Sequence, residues 1–483
     1  MKFNVRSEEN LTMLTDLYQL TMMQIYNEDE KEIGCFDMFF RKNPDKAGFT
    51  VFAGLDKVID YVQNIKFEED DLNYLRTLDL FDEDFLDYLR DFKFECDVWA
   101  MPEGTVVFPN EPLITVRGPA EQAQLVETAV LNIINHQTRI ATKAERIVRA
   151  ADGRPVIDFG LRRAHGVTAA VDGAKASYVA GMAGTSNVLA GKKYGIPVKG
   201  TMAHSFVQKA KKEYDAFERY AKRYPDKTVL LVDTYDVLKS GIPNAIKVAK
   251  EILEPQGHKL QGIRIDSGDL VTLTKKARKL LDDAGLDYVK ITVSNSLDEY
   301  EITRLLAEEA PIDSFGVGER NITAKSDPVL GGVYKLTEVE DQNELVTAKI
   351  KISESQEKTT NPGFKKVWRV YDSLTNKAMG DVLTLAGEDV DVMRMEDYVT
   401  DEALKEAMVV EDYMVKELMV PIFNKGALVY DVPTLEEVRD FCKAQVETLT
   451  DGVKKFENPD KYNVDLSDEL YELKLELIEE MAA

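Results

Sequence analysis

The sequence predicts an α/β protein built around a parallel, barrel-like core, and three observations lead there. Between Arg154 and about Leu336, six short apolar segments recur: PVIDFG, GIPVKG, TVLLVDT, GIRIDS, YVKITVS and IDSFGVG. Helix-like stretches fill most of the gaps between them, the pattern of parallel strands joined by crossover helices. Each segment also ends in Gly, Ser, Asp or Thr, so polar residues collect at the carboxyl ends of the strands, where barrel enzymes keep their sites. An open parallel sheet is the alternative; the clustering favours a TIM-related barrel, complete or incomplete.

The flanking regions read differently. Leu11–Tyr26 carries apolar residues at helical spacing, and CFDMFF reads as a strand. From Cys96 to Gly118, β-branched runs broken by Pro and Gly suit short strands and turns. Glu121–Ala151 has three-to-four apolar spacing and stops at Asp152-Gly153, which predicts one or two packed helices. Beyond Thr337, strand-like TAKIKI and KKVWRVYD give way to an acidic amphipathic helix, LSDELYELKLELIEEM. The division expected is residues 1–130, a catalytic region over 131–345, and a C-terminal region over 346–483.

At 483 residues the chain is long enough for two or three domains, and 44% apolar residues with 28 Gly and 16 Pro is ordinary globular composition. A net charge of −25 argues against a nucleic-acid binder, which needs a surplus of Lys and Arg. It leaves room for a small anionic substrate wherever Arg, Lys and Gly cluster. Cys35, Cys96 and Cys442 are odd in number and far apart, so neither a disulfide framework nor a CxxC metal site is indicated. The polar start and the absence of any run of about 18 apolar residues predict a cytoplasmic protein with no membrane association.

A series of strand-end motifs could carry chemistry. In DFGLRRAHG, Phe159 offers a flat face to a planar ring and Arg162 or Arg163 a fork for phosphate or carboxylate, although alone the segment is equally well a charged βα loop. The Gly-rich stretch Gly184–Val207 ends with Thr201 and His204 just past a strand; a lone histidine there is more often structural than catalytic. Asp233, Asp266 and Asp269 follow apolar strands and could simply cap the next helices. Arg264 with Asp266 and Ser267-Gly268 also offers a cationic fork and acceptors for ribose hydroxyls or a hydrated Mg²⁺. VSNS and FGVGERNIT bring small residues to two late strand ends, as in the phosphate cradles of barrels. Together these loops favour a phosphorylated sugar as substrate.

TDLYQLTM, MPEGTVVFPNEP, DFGLRRAHG, GTSNVLAG with GTMAHSF, IRIDSGDL and FGVG, in this order, resemble the nicotinate phosphoribosyltransferase family over nearly the whole length. The resemblance implies a dimeric type II phosphoribosyltransferase with a barrel-like domain and an α/β sandwich assembled from both terminal regions. It implies the joining of nicotinate to phosphoribosyl pyrophosphate in NAD synthesis, coupled to ATP hydrolysis and supported by Mg²⁺. His204 matches the histidine that ATP phosphorylates. Phe159 and Tyr18 match the two aromatics that sandwich the pyridine ring, the tyrosine coming from the partner subunit of a homodimer with shared sites. Arg162, Thr201 and Arg264 match positions lining the ring and phosphate pockets. Asp233, Asp266 and Gly268 fall near the ribose and metal, Asp233 and Asp266 being the candidate metal residues. Ser294, Asn295, Gly316 and Gly318 fall near the 5-phosphate. Amide-using relatives carry an acid where this chain has Ser186, which favours nicotinate over nicotinamide. Glu319 departs from the family, whose members often carry Thr after FGVG. The rival readings are an enzyme for nicotinamide or quinolinate, a non-catalytic nicotinate-binding relative, and an aldolase-type barrel, which needs a strand-end Schiff-base lysine not evident here.

Overall fold

A computed structural model describes residues 10–28, 32–353, 358–410 and 412–482. The first nine residues of the polar start fall outside them. The protein is mixed α/β with several sheets, and it divides into two compact units: Ile140–Pro328, and Met1–Arg139 together with Val329–Ala483.

The Ile140–Pro328 unit is built on five parallel strands. Their order is Val156–Asp158, Ser314–Val317, Lys290–Ser294, Gly262–Ile265, Val229–Leu231. Their β-branched and aromatic residues are shut away from water: Ile263, Ile265, Ile291, Val293, Phe315 and Val317 are all fully buried. Continuous apolar strands of this kind are stable only when helices cover them. Val167–Val179, Glu213–Arg223, Leu270–Asp283 and Glu299–Ala307 are among the helices between them. Asp269 and Asp298 accept from the backbone N–H groups of Thr272 and Glu301 and so start two of these helices. Parallel register sets every carboxyl end on the same edge, and Gly316 lies opposite both Ile157 and Ser294.

Of the six expected strands, GIPVKG does not form one. Only a single bridge joins Val198 to Thr185, which is itself bridged to Asp158. Pro197 can accept from Thr185 N–H but has no N–H to return, and Gly195 has left-handed backbone (φ 73°), so the ladder cannot extend. The parallel ladder therefore continues past Val156–Asp158 by two isolated bridges only, and among the described residues its two ends are not paired with each other.

In the other unit, sequence-distant strands share one antiparallel-paired sheet. Ile33–Phe39 lies between Val333–Glu340 and Ile114–Pro119, and Asp97–Ala100 pairs with Val420–Asn424. A second sheet holds Lys365–Asp372 and Ala378–Leu385. Met38, Phe40, Phe52, Ile114, Val367, Leu383 and Ile422 belong to one core, so both chain ends bury the same apolar surface. The helix expected over Leu11–Tyr26 is interrupted. Asn10 accepts from Thr12 N–H to cap a 3-10 turn at Leu11–Met13, and the helix Leu17–Glu28 begins where Gln19 Oε1 takes Thr15 Oγ1 at 2.6 Å and Asp16 N–H at 3.1 Å. TAKIKI contributes only its start, in the short strand Val346–Ala348, whereas KKVWRVYD is the strand Lys365–Asp372 and the acidic tail is the helix Asp468–Ala482.

Candidate active site

The carboxyl edge of the parallel strands holds a pocket of about 320 Å³, lined by Phe159, Arg162, Ser186, Thr201, His204, Arg264 and Asp266 among others. Phe159 is the first residue after Val156–Asp158, and its N–H donates to Val317 O at 2.7 Å, which ties the loop to the neighbouring strand. A Cβ on Gly316 would come within 2.4 Å of the Phe159 ring, so that strand approaches the ring closely only because residue 316 has no side chain. The Arg264 guanidinium sits 5.0 Å from the ring centroid, near enough for a cation–π attraction.

Arg264 is fixed from two further sides. Its Nε donates to Ser294 Oγ at 2.9 Å and its Nη2 to Asp266 Oδ1 at 3.0 Å, while Ser294 also donates to that same oxygen. Ser294 thus positions the arginine and the acid together. Asp266 keeps its Oδ2 without a partner among the described residues.

Asp233 lies two residues beyond Val229–Leu231, its side chain only 1% exposed. It accepts from Ser267 Oγ at 2.6 Å and from Asp266 N–H at 3.0 Å on Oδ2, and its Oδ1 is 3.1 Å from His204 Nε2. Neither Asp233 nor Asp266 caps a helix; that role belongs to Asp269. His204 opens the helix His204–Lys209, and its side chain is 42% exposed. With Nε2–H donated to Asp233, the lone pair is on Nδ1, so the carboxylate selects the tautomer.

Asp158 was not singled out in the sequence, yet it organises the loops beneath the pocket. Fully buried, it accepts from Gly160 N–H at 2.8 Å and Thr185 Oγ1 at 2.7 Å, while its carbonyl takes Ser186 N–H at 2.8 Å. Burial raises its pKa above the usual carboxylate range, and those two side-chain contacts oppose the rise. Its signal in the sequence is an acid that ends an apolar strand, ahead of the phenylalanine and arginines of the same loop. Ser267, expected with Gly268 to offer acceptors for a ribose hydroxyl or a hydrated Mg²⁺, instead donates its Oγ–H to Asp233.

The remaining residues of the Ile140–Pro328 unit are distributed along the same edge. Gly268 takes left-handed backbone (φ 85°) between Gly262–Ile265 and the next helix. Asn295 also has positive φ (98°) and is exposed just after Lys290–Ser294. Gly318 precedes the short helix Glu319–Ile322. Glu319 is held by Lys325 at 2.7 Å and faces Arg163 at 3.9 Å, and the Lys325 hydrogen bond is the main reason its carboxyl lies below its usual range. Arg320 pairs with Asp298. Tyr18 belongs to the other unit, on Leu17–Glu28, with 48% of its surface exposed.

Family models match the chain along its length: the nicotinate phosphoribosyltransferase N-terminal domain over residues 13–135, the family itself over 155–406, and its C-terminal domain over 364–474. A nicotinate phosphoribosyltransferase of Bacillus subtilis (strain 168) is 43% identical over 98% of this chain and 96% of its own. One from Homo sapiens is 32% identical, with 95% of each covered. The crystal structure of human nicotinic acid phosphoribosyltransferase superposes with a TM-score of 0.82 at 28% identity, covering 96% of this chain and 99% of that one. The nicotinate-nucleotide pyrophosphorylase of Pyrococcus furiosus shares the fold, with a TM-score of 0.69 at 24% identity. On that match, which spans the pocket loops and both chain ends, the chain belongs to the nicotinate phosphoribosyltransferase family.

Proposed function

We propose that the chain joins nicotinate to phosphoribosyl pyrophosphate, giving nicotinate mononucleotide and pyrophosphate for NAD biosynthesis. The observation that carries this is the convergence of Phe159, Arg162, Ser186, Thr201, His204 and Arg264 on one pocket; the names of the relatives support it. The pyridine nitrogen attacks the anomeric carbon, and the bond to the pyrophosphate oxygen breaks with its electron pair leaving on pyrophosphate. No protein nucleophile is required at the sugar. The site's work is to hold both partners in line and to meet the charges that develop. Phe159 takes the ring, Arg162 and Arg264 take anionic groups, and Ser186 leaves room for a carboxylate that an acid at that position would repel. Asp266 Oδ2 accepts from a ribose hydroxyl, with Gly268 in the turn beside it. Ser294, Asn295, Gly316 and Gly318 border the 5-phosphate.

ATP enters the reading through His204. Nδ1, which carries the lone pair in the tautomer that donates Nε2–H to Asp233, attacks the γ-phosphorus; the bond to the bridging oxygen breaks, and ADP departs as phosphohistidine forms. Among the described residues, no three His, Cys, Asp or Glu side chains gather around a cation site. The donor set nevertheless fits a hydrated Mg²⁺, which Asp266 would hold and which Asp233 would hold through water, because such ions need only one or two carboxylates. Bound there, the ion supplies neutralising charge for phosphate oxygens. The parallel ladder is read as the wall of an incomplete barrel and the terminal sheets as the family's sandwich. Tyr18 is read as completing the pocket of the partner in a homodimer, and the compartment as cytoplasmic; no described helix is long and apolar enough to cross a membrane.

Purified protein offered nicotinate, nicotinamide or quinolinate with phosphoribosyl pyrophosphate, with and without ATP, tests the reading. Nicotinate mononucleotide is the expected product, made faster with ATP; preference for either other ring overturns it. His204→Ala should lose ATP hydrolysis and keep slow transfer, and full ATP turnover in that variant removes the phosphohistidine. Mixing Tyr18→Ala with His204→Ala subunits should restore activity if sites are shared.

A further inference from the structure

The unit built from both chain ends has a cavity of its own, about 230 Å³ in volume. Part of its wall is apolar, with Phe39, Pro112, Val464 and Leu466 facing inward. The rest carries three charges, and their accounting is uneven. Lys365 and Asp37 are both buried and lie 2.8 Å apart, Nζ to Oδ2. Lys365 also donates to the carbonyl oxygens of Asn361, Pro362 and Gly363, while Asp37 Oδ1 accepts from Thr115 Oγ1 at 2.6 Å. That pair is neutral and closed.

Lys474, on the helix Asp468–Ala482, is different. Its Nζ donates to Asn361 Oδ1 at 2.8 Å, and no carboxylate among the described residues reaches it. Burial first and the neighbouring Lys365 second hold its pKa below the usual lysine value, so its ammonium is poorly compensated where it stands. The Asn361 side-chain N–H groups find no acceptor among the described residues. Among the described residues the cavity therefore offers one net positive charge and an amide donor without an acceptor, beside apolar walls. A phosphate dianion would exceed that charge and leave the apolar surface bare. A neutral molecule would leave the ammonium unmet.

We propose that this cavity binds a small apolar monocarboxylate, its carboxylate on Lys474 Nζ and the Asn361 amide and its body against Phe39, Val464 and Leu466. None of these residues belongs to the strand-end pocket, so the proposal does not depend on the reaction assigned there.

Isothermal titration calorimetry of the full chain with cyclohexanecarboxylate tests it, a ring chosen because it is not planar and suits an aromatic stack poorly. One equivalent per chain is expected. Lys474→Met should weaken binding about tenfold or more, the loss expected for a charge-assisted contact. Phe159→Ala should leave it unchanged. Cyclohexanecarboxamide and inorganic phosphate, titrated into the unaltered protein, should each bind at least about tenfold more weakly than the carboxylate; these two arms read the charge preference even if Lys474→Met does not fold. Absence of binding, equal affinity in Lys474→Met, loss in Phe159→Ala, or phosphate or amide binding as tightly as the carboxylate would each overturn the proposal.

Discussion

Replacing Asp233 with Asn keeps the shape of the side chain and removes its charge, at a position where each contact is known. Oδ2 receives two donors, Ser267 Oγ at 2.6 Å and Asp266 N–H at 3.0 Å, and Oδ1 faces His204 Nε2 at 3.1 Å. The amide oxygen of asparagine must therefore take the Oδ2 position, since an NH₂ there would oppose two hydrogens. The NH₂ then turns to His204, whose Nε2 has to accept, and the imidazole proton moves to Nδ1, the atom assigned to attack phosphorus. A hydrogen bond to a charged group contributes about 1.5–3 kcal/mol, and Asp233 is too well buried for solvent to screen much of it. Lost from the transition state alone, that energy corresponds to a fall of roughly 10- to 150-fold in ATP turnover. KM for nicotinate should hold, because Asp233 is not among the residues lining the pocket. A continuous assay of ADP release at saturating ATP, with a melting curve to establish folding, measures it. ADP release within about twofold of the unaltered protein would refute the tautomer argument.

Gly316→Ala puts a methyl within 2.4 Å of the Phe159 ring and 3.3 Å of Ser294 Cβ; with the ring displaced, KM for nicotinate should rise roughly two- to tenfold, the worth of about 0.5–1.5 kcal/mol of aromatic contact, and unchanged steady-state kinetics would contradict it. Ser186→Asp should raise KM for nicotinate about tenfold or more while sparing nicotinamide, and equal effects on the two rings would remove Ser186 from the selectivity argument. Glu111 is buried beside Asp381; burial first and that neighbouring charge second push its carboxyl well above the usual range, and no donor among the described residues reaches its Oε1. The folded state thus retains a proton the unfolded chain releases, so stability falls as pH rises from the unfolded value towards the folded one, by up to about 1.4 kcal/mol per pH unit. Glu111→Gln, whose NH₂ can face Asp381 as the protonated carboxyl does, should gain stability over the unaltered protein as pH rises above the ordinary carboxylate range in urea unfolding, and parallel curves would argue against a retained proton.

What could be read from the sequence and what could not separate along a physical line. A β-branched run followed by a polar residue signals a strand end through local sterics and burial, and five of the six runs so identified are strands of one parallel sheet. The sixth, GIPVKG, shows the limit of apolar content as a guide: Pro197 withholds a donor, and one missing N–H suffices to reduce a strand to a bridge. Asp269, Asp233 and Asp266 look alike in sequence, each an acid near a strand end. Only geometry assigns the first to a helix cap and the other two to a hydrogen-bonded chain running from His204 through Asp233 and the Asp266 backbone to Arg264. That chain joins residues from three separate loops, and no spacing rule encodes it. The same is true of Gly316, whose glycine reads as a phosphate cradle but whose absent side chain makes space for Phe159, 157 positions earlier. The Lys474 cavity lies furthest from sequence reasoning. Asp37, Lys365 and Lys474 are three scattered charges of ordinary type, and the imbalance appears only once the sheet pairs two of them and strands the third. Local chemistry is therefore legible wherever a residue's role is set by its neighbours in the chain, and it becomes invisible where the role is set by which charge has already been neutralised by another.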